Sequence, residues 1–309
     1  MLYKKMKYLL EEVGEPAKAT ESTLKDPAAK QITDRIKRPQ YWRQDAGEIL
    51  LTPHNFDSYH TEHTAITPNN SAIIGVDHTD MTNRKDVKNA TNYVKSHAIP
   101  TALTTARKAL KLNKPIHFVA EGWKQPDTQS RNTEQWALIS ALRQKIGHKN
   151  IISDTWDDHT VNFLDDKSPI WNKLTEYAGN DSALAKSAIA IDMLGQTSQG
   201  TGAIGPEVKK LLTPEVTKHL QSNFNIDPHS LTKKQAAHLY TVAWPGDSGK
   251  PQNKYSSIIH ALHHERELNL MKKVHEIEKR GGIAIAAGGG SHIWNLKHTF
   301  EKGAYTNVI

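Results

Sequence analysis

Two histidines of the chain follow short apolar runs in the same local pattern. The run AIIGV (72–76) leads to His78, and the run GGIAIAAGGG (281–290) leads to His292. Each histidine ends a G-x-x-H string, GVDH and GGSH, in which glycine permits a tight turn and a close approach of the backbone. Such a turn presents an imidazole at the end of a strand, where it can bind a ligand.

A glutamate that follows another apolar run supplies a third group of the same kind. Glu121 stands at the end of IHFVAEG (116–122). Two imidazoles and one carboxylate bind a divalent ion and leave coordination positions open for water and substrate. The chain has no cysteine, so that disulfides, thiolate ligands and a cysteine nucleophile are excluded. His78, Glu121 and His292 are therefore the candidate metal ligands, and we expect them to converge within coordination distance.

Four apolar runs predict the strands that must position these groups. They are residues 72–76, 116–122, 150–156 and 281–290. Helical spacing fills the intervals between them, as in the predicted capping pair of Asn132 and Gln135 and the apolar face of Trp136, Ile139, Leu142 and Ile146. Strands that alternate with helices imply parallel pairing with right-handed crossovers. The predicted fold is α/β, with a mostly parallel central sheet flanked by helices and ligands bound at the carboxyl ends of the strands.

The domain organisation changes near residue 66. Residues 1–66 lack sustained periodicity and carry many breakers, which predicts an extended or partly disordered N-terminal arm that can serve self-assembly. Residues 67–309 form the predicted α/β domain. Within it, a mostly helical stretch at about 168–262 predicts an insert or lid before the last core strand.

Composition and hydropathy narrow the class of protein. The N-terminus lacks the apolar core of about 7–15 residues that a signal peptide needs, and no run approaches the roughly 18 apolar residues of a membrane span. We therefore expect a soluble, cytoplasmic protein without a membrane partner. The net charge is +7, but lysines and acids are interspersed without a basic block or an RNA-binding signature, which argues against nucleic acid as a partner.

The order of the motifs resembles that of a known superfamily. GVDH (75–78), FVAEGW (118–123) and the segment from HHERE (263–267) to GGSHIW (289–294) and KGAY (302–305) follow in one order. A first strand with G-x-x-H, a second ending in Glu, a late helix carrying Arg and a last strand with G-x-x-H resemble the TIKI/TraB-like superfamily. Its wider relatives include ChaN-like and erythromycin-esterase-like proteins. The resemblance covers about residues 71–160 and 260–309.

The resemblance implies a metal-dependent, peptidase-like hydrolase that cleaves amide or ester bonds of a peptide or small-molecule substrate by metal-activated water. His78, Glu121 and His292 would be metal ligands, with Glu121 and Arg266 as catalytic groups. In the TIKI-like branch the metal is manganese or cobalt, and we add zinc as a third candidate. A guanidinium such as that of Arg266 can steady a developing oxyanion. The predicted accessory residues are Asp77, Asp154, His263 and Ser291, and no cofactor besides the metal is expected.

Two other functional classes are compatible with the sequence. The long arm and the GGSH form of the second motif favour a non-catalytic assembly protein that keeps the fold. A haem-binding or iron-binding protein of the ChaN-like branch is the other alternative, and it would require an exposed His or Tyr near the cleft.

Several shorter motifs have competing interpretations. HALHHE (260–265) spaces histidines for chelation or for a solvated face. DTWDDH (154–159) offers oxygen ligands from Asp154 and Asp157, but a capping loop is favoured. The glycines of AAGGGSH (286–292) could cradle a phosphate. PGDSGK (245–250) does not match the spacing of a phosphate loop.

Overall fold

The structure, a computed structural model, describes residues 64–67, 69–76, 94–122, 134–197, 206–245, 253–289 and 292. The chain divides into two compact units. The described residues of one unit lie in Ile170–Leu262, and those of the other lie in Pro39–Pro169 and His263–Ile309.

A five-stranded sheet forms the centre of the second unit. Its strands are β1 (Thr64–Ile66), β2 (Ala72–Val76), β3 (Ile116–Ala120), β4 (Ile151–Thr155) and β5 (Ile283–Gly289). They lie in the order β1-β2-β5-β3-β4. All neighbouring pairs are parallel except β1 and β2. The predicted α/β class with a mostly parallel sheet is confirmed, and the four predicted runs are β2, β3, β4 and β5.

The edge strand β1 was not predicted. Its three residues, TAI, fall in the predicted N-terminal arm, and they pair antiparallel with β2 from Thr64 opposite Ile74 to Ile66 opposite Ala72. A turn joins the two strands, in which the Asn70 amide donates to the Thr67 carbonyl oxygen (2.9 Å) and Asn70 has φ of 72°. Three residues are too few to show the two-residue period of a strand, which explains why no pattern in the sequence predicts β1.

The central strand β5 aligns the ends of its neighbours. Val76 of β2 lies opposite Gly289, and Ala120 of β3 lies opposite Ala287. All seven residues of β5 are buried. Parallel pairing places the carboxyl ends of β2, β5, β3 and β4 at one edge of the sheet, and the chain continues from this edge to Glu121 and His292.

Helices cover both faces of the sheet. On one face α1 (Ile99–Lys111) and α2 (Glu134–Ile146) bury apolar side chains in a cluster formed by Ile74, Phe118, Ile285, Ala102, Ala106, Leu138 and Leu142. On the other face the last part of α8 (Lys254–Lys279) contributes to a second cluster, formed by Leu270, Met271, Val274, Ile277, Ile73, Val119, Trp156 and Ala286. The burial of apolar area on both faces is the main contribution to the stability of this unit.

Local sequence features explain where the helices of the sheet unit begin and which face they bury. Pro100 lies in the first turn of α1, where its missing N–H and its restricted φ are tolerated, and a π-helical turn, Val94–Ala98, precedes it. In α2, Leu138, Ile139 and Leu142 are buried, whereas the predicted face also included Trp136 and Ile146. The latter two are partly exposed.

The other unit is helical. It contains α3 (Ile170–Tyr177), α4 (Ser182–Gln196), α5 (Pro206–Leu211), α6 (Pro214–Phe224), α7 (Lys233–Ala243) and the first part of α8. A Cβ on Gly195 of α4 would lie 2.7 Å from the backbone nitrogen of Tyr240, so α7 can approach α4 closely only because position 195 is glycine. No helix in the described part of the chain is both long enough and apolar enough to cross a membrane.

Candidate active site

The carboxylate of Glu121 lies where β3 and β5 end side by side. The Glu121 amide donates to the carbonyl oxygen of Ala287 (2.9 Å), which continues the pairing of the two strands by one residue. Its side-chain Oε2 accepts a hydrogen bond from the backbone N–H of Gly289 (2.5 Å). Two bonds from one strand therefore hold both the backbone and the side chain of Glu121.

The guanidinium of Arg266 joins two carboxylates. Its Nη2 donates to Oε1 of Glu121 (2.7 Å), and its Nε donates to Oδ1 of Asp157 (3.0 Å), with a further bond from Nη2 to Asp157. Asp157 also accepts from the backbone N–H of Gly122 (3.3 Å). Burial alone would lower the pKa of Arg266, but the charges of Asp157 and Glu121 outweigh it and raise the pKa above its ordinary value. Arg266 is permanently charged here and neutralises part of the acidic cluster.

The imidazole of His292 lies between two further carboxyl groups. Its Nε2 is 3.5 Å from Oε1 of Glu121, and its Nδ1 is 3.2 Å from Oε1 of Glu267. The side chain is only 3% exposed. Burial lowers the pKa of His292, but the interactions with Glu121 and Glu267 outweigh burial and raise the pKa from 6.5 to about 9. Without a metal, the cluster therefore favours a positive charge at this imidazole near neutral pH.

Trp156 forms a rigid wall of the site. Its indole is edge-on to the His292 ring, with ring centroids 5.3 Å apart, and the Arg266 guanidinium lies over its face at 5.4 Å. The indole N–H donates to the carbonyl oxygen of Ala287 (3.3 Å). A Cβ on Gly288 would lie 2.8 Å from Cζ2 of Trp156 and 3.2 Å from Oε2 of Glu121. Glycine at 288 is therefore a requirement of this packing.

The structure brings together several of the predicted site residues. Glu121 contacts both Arg266 and His292, and the His263 ring lies 5.1 Å from that of His292 with an interplanar angle of 31°. Asp154, a predicted accessory residue, instead forms an ion pair with Lys273 (2.8 Å).

Three predicted residues lie outside the described part of the chain. They are His78, Asp77 and Ser291. The convergence of His78 with Glu121 and His292 therefore stays a prediction.

Two carboxylates of the site, Asp157 and Glu267, were not predicted in these roles. The sequence indicates Asp157 only as an oxygen ligand or as part of a capping loop, although it follows β4 closely, as a strand-end group should. Glu267 was overlooked because it lies on a helix, where neither strand-end position nor a glycine motif marks it. Its one signal was its place directly after Arg266 in HHERE.

The pair of Glu121 and His292 fits a divalent cation by its donor chemistry. Two ligands at about 2.0–2.1 Å from a tetrahedral ion are roughly 3.3–3.4 Å apart, close to the observed 3.5 Å between Oε1 and Nε2. A carboxylate behind the opposite nitrogen is the usual support of a metal-binding histidine, and Glu267 has this place. Among the described residues, no group of three or more His, Asp or Glu forms a metal site. The described residues thus contain two of the three predicted ligands.

Comparisons of the chain with models of protein families, with curated proteins and with solved structures found no match.

Proposed function

We propose that the chain is a metal-dependent hydrolase that cleaves an amide or ester bond at the carboxyl ends of the strands, as the TIKI/TraB-like resemblance implies. The observation that carries the proposal is the pair of Glu121 Oε1 and His292 Nε2. These atoms face each other at 3.5 Å in a buried cluster. Each side chain has a second partner that fixes its orientation.

Glu121 and His292 would hold the ion, with His78 as the proposed third ligand and Mn, Co or Zn as the proposed metal. When bound, such an ion lowers the pKa of a water molecule and polarises the bond to be cleaved. The Glu121 carboxylate also orients the attacking water and accepts its proton. The Gly289 amide holds Oε2 of Glu121 in place for this role.

We assign Arg266 a positioning role rather than oxyanion stabilisation. The described hydrogen bonds of its guanidinium go to Glu121 and Asp157. A guanidinium that is paired with two carboxylates has much of its charge neutralised, so it is a weak electrostatic stabiliser for a third group. Its contribution is to hold Glu121 and to balance the negative charge of the cluster.

The proposal is tested by metal binding and hydrolysis with the full chain. The protein is stripped with a chelator and titrated calorimetrically with Mn²⁺, Co²⁺ and Zn²⁺, and then assayed on a panel of peptide and ester substrates. We expect wild type to bind at least one ion, and Glu121→Gln and His292→Gln to weaken binding by more than about 100-fold, since loss of a supporting group alone costs 10–100-fold.

The matched control is His148→Gln, which removes an exposed histidine that precedes β4 and should bind metal as wild type does. Wild type that binds none of the three ions would overturn the proposal. A Soret band in the purified protein would favour the haem alternative. If metal and haem are both absent and deletion of residues 1–63, which keeps β1, abolishes an assembly, the non-catalytic alternative is supported.

A further inference from the structure

Two consecutive residues of α8 hold the two proposed ligands separately. Arg266 bonds to Glu121, which follows β3, and Glu267 contacts His292, which follows β5. Adjacent side chains on an α-helix point about 100° apart, so a single turn can contact the ends of two different strands. The distance between the proposed ligands is therefore controlled by one rigid element.

The orientation of the His292 ring is determined from several sides. Glu267 Oε1 lies 3.2 Å from Nδ1, Trp156 packs edge-on against the ring, and the ring of His263 lies 5.1 Å away, tilted by 31°. The side chain of Glu267 is only 5% exposed. A buried carboxylate is costly unless it is paired. The carboxylate of Glu267 has such a partner in Nδ1 of His292.

The hydrogen bond at one nitrogen of an imidazole decides what the other nitrogen can do. A carboxylate that accepts from Nδ1–H fixes the tautomer that offers the Nε2 lone pair to a ligand. In this site Nε2 is the nitrogen that faces Glu121. A rotation of the ring about its Cβ–Cγ bond would remove Nε2 from that position.

We infer that Glu267 is a positioning residue of the metal site, which holds Nδ1–H of His292 so that Nε2 is directed at the cation beside Glu121. This role rests on the proposed function. It adds a residue that neither the strand-end pattern nor the superfamily resemblance indicated. Glu267 does not touch the cation or the substrate in this assignment.

Zinc affinity is the first test, with Zn²⁺ alone as the probe and the chelator-stripped full chain as the sample. Glu267→Ala should weaken the binding of Zn²⁺ by about 10–100-fold, the usual effect of losing such a support. Glu267→Gln should lose less, because its amide oxygen can still accept from Nδ1–H. Affinity is calculated per folded molecule from the calorimetric stoichiometry, so that a partly unfolded variant does not imitate a loss of affinity.

Glu276→Gln is the matched control, because it removes a glutamate charge from the same helix at an exposed position that pairs with Arg280. It should leave the affinity unchanged. Wild-type affinity in Glu267→Ala, or an equal loss in Glu276→Gln, would overturn the inference.

A second readout does not depend on metal or activity. In ¹⁵N-histidine-labelled protein, the Nδ1–H of His292 should give a slowly exchanging proton signal, assigned by its absence in His292→Gln. The signal should persist in Glu267→Gln and disappear in Glu267→Ala. If wild type binds none of Mn²⁺, Co²⁺ and Zn²⁺, the proposed function fails while this readout still decides whether Glu267 orients the ring. The same signal in Glu267→Ala as in wild type would contradict the role of Glu267.

Discussion

At the scale of single residues, the site is a balance of buried charges. Glu121, Asp157 and Glu267 supply three carboxylates around Arg266 and His292. Ionised groups are stable in a buried position only when they are paired and hydrogen-bonded. The Arg266 guanidinium donates hydrogen bonds to Glu121 and Asp157. The imidazole of His292 lies between Glu121 and Glu267. A cation beside Glu121 and His292 would replace the proton that otherwise charges this imidazole.

The stability of the metal-free protein should depend on this proton. Because the pKa of His292 is raised to about 9 in the folded protein from 6.5, the folded state binds the proton more tightly than the unfolded chain. The stabilisation is fully present below pH 6.5 and is lost as the pH rises through 9. The free energy of unfolding should therefore fall by about 3 kcal/mol over this pH range. Denaturant unfolding in the presence of a chelator, repeated between pH 6 and 10, measures it.

His292→Gln is the reference for that experiment, because it removes the titrating group and leaves the other ionisable groups in place. The free energy of unfolding of the wild type should fall relative to that of the variant between pH 6.5 and 9. Parallel curves for the two proteins in this window would contradict the assigned pairing of His292 with Glu121 and Glu267.

Some residues of the site were predictable and others were not. Glu121 and His292 could be found because each follows an apolar run, and strand ends in parallel sheets meet at one edge. The contact of Arg266 with Asp157 depends on how α8 packs across the sheet, which no local pattern encodes. Glu267 was missed for the same reason.

At the scale of secondary structure, the close packing of the Trp156 side chain against β5 shapes the site. Trp156, directly after β4, occupies the space above Gly288 of β5. Its amide donates to the carbonyl oxygen of Ala120 (3.1 Å), so its backbone is fixed by β3 as well. The indole has little freedom to move away from an added atom at position 288.

Gly288→Ala should therefore disturb the site through packing. The new Cβ would lie 2.8 Å from Cζ2 of Trp156, and overpacking of this kind typically destabilises by about 1–3 kcal/mol. Trp156→Phe removes Cζ2, so alanine at 288 should cost less in a Trp156→Phe background than in the wild type. A double-mutant cycle by denaturant unfolding measures this coupling. Additive effects of the two substitutions would show that the indole and position 288 are not in contact.

The core strands were predictable from short apolar runs, but the exact helix faces were not. Helix α2 buries Leu138 and leaves Trp136 partly exposed, although the apolar spacing favoured Trp136. The buried face, formed by Leu138, Ile139 and Leu142, is shifted from the predicted stripe, because tertiary packing as well as apolar spacing decides which side of a helix faces the core. Strand β1 was not predictable for a different reason. Its three residues are too few to show a period, and they are recognised as a strand only by their pairing with β2.

At the scale of the whole molecule, the alternation of strands and helices was sufficient to predict the α/β class. The structure adds two compact units, and the chain passes from one to the other between Pro169 and Ile170 and again, inside α8, between Leu262 and His263. The predicted helical insert at about 168–262 and the arm at 1–66 stay predictions of domain organisation. The proposed ligands Glu121 and His292, and the helix turn that holds them, belong to the unit that contains the sheet.

The proposed function depends on a divalent cation that binds between Glu121 and His292, and anomalous diffraction from crystals of the full chain grown with Zn²⁺ can locate it. We expect an anomalous peak at about 2.0–2.2 Å from Oε1 of Glu121 and from Nε2 of His292, with His78 as a further ligand. Zinc bound only at other positions, or a zinc-saturated crystal with no peak between these two atoms, would show that the pair does not hold the ion.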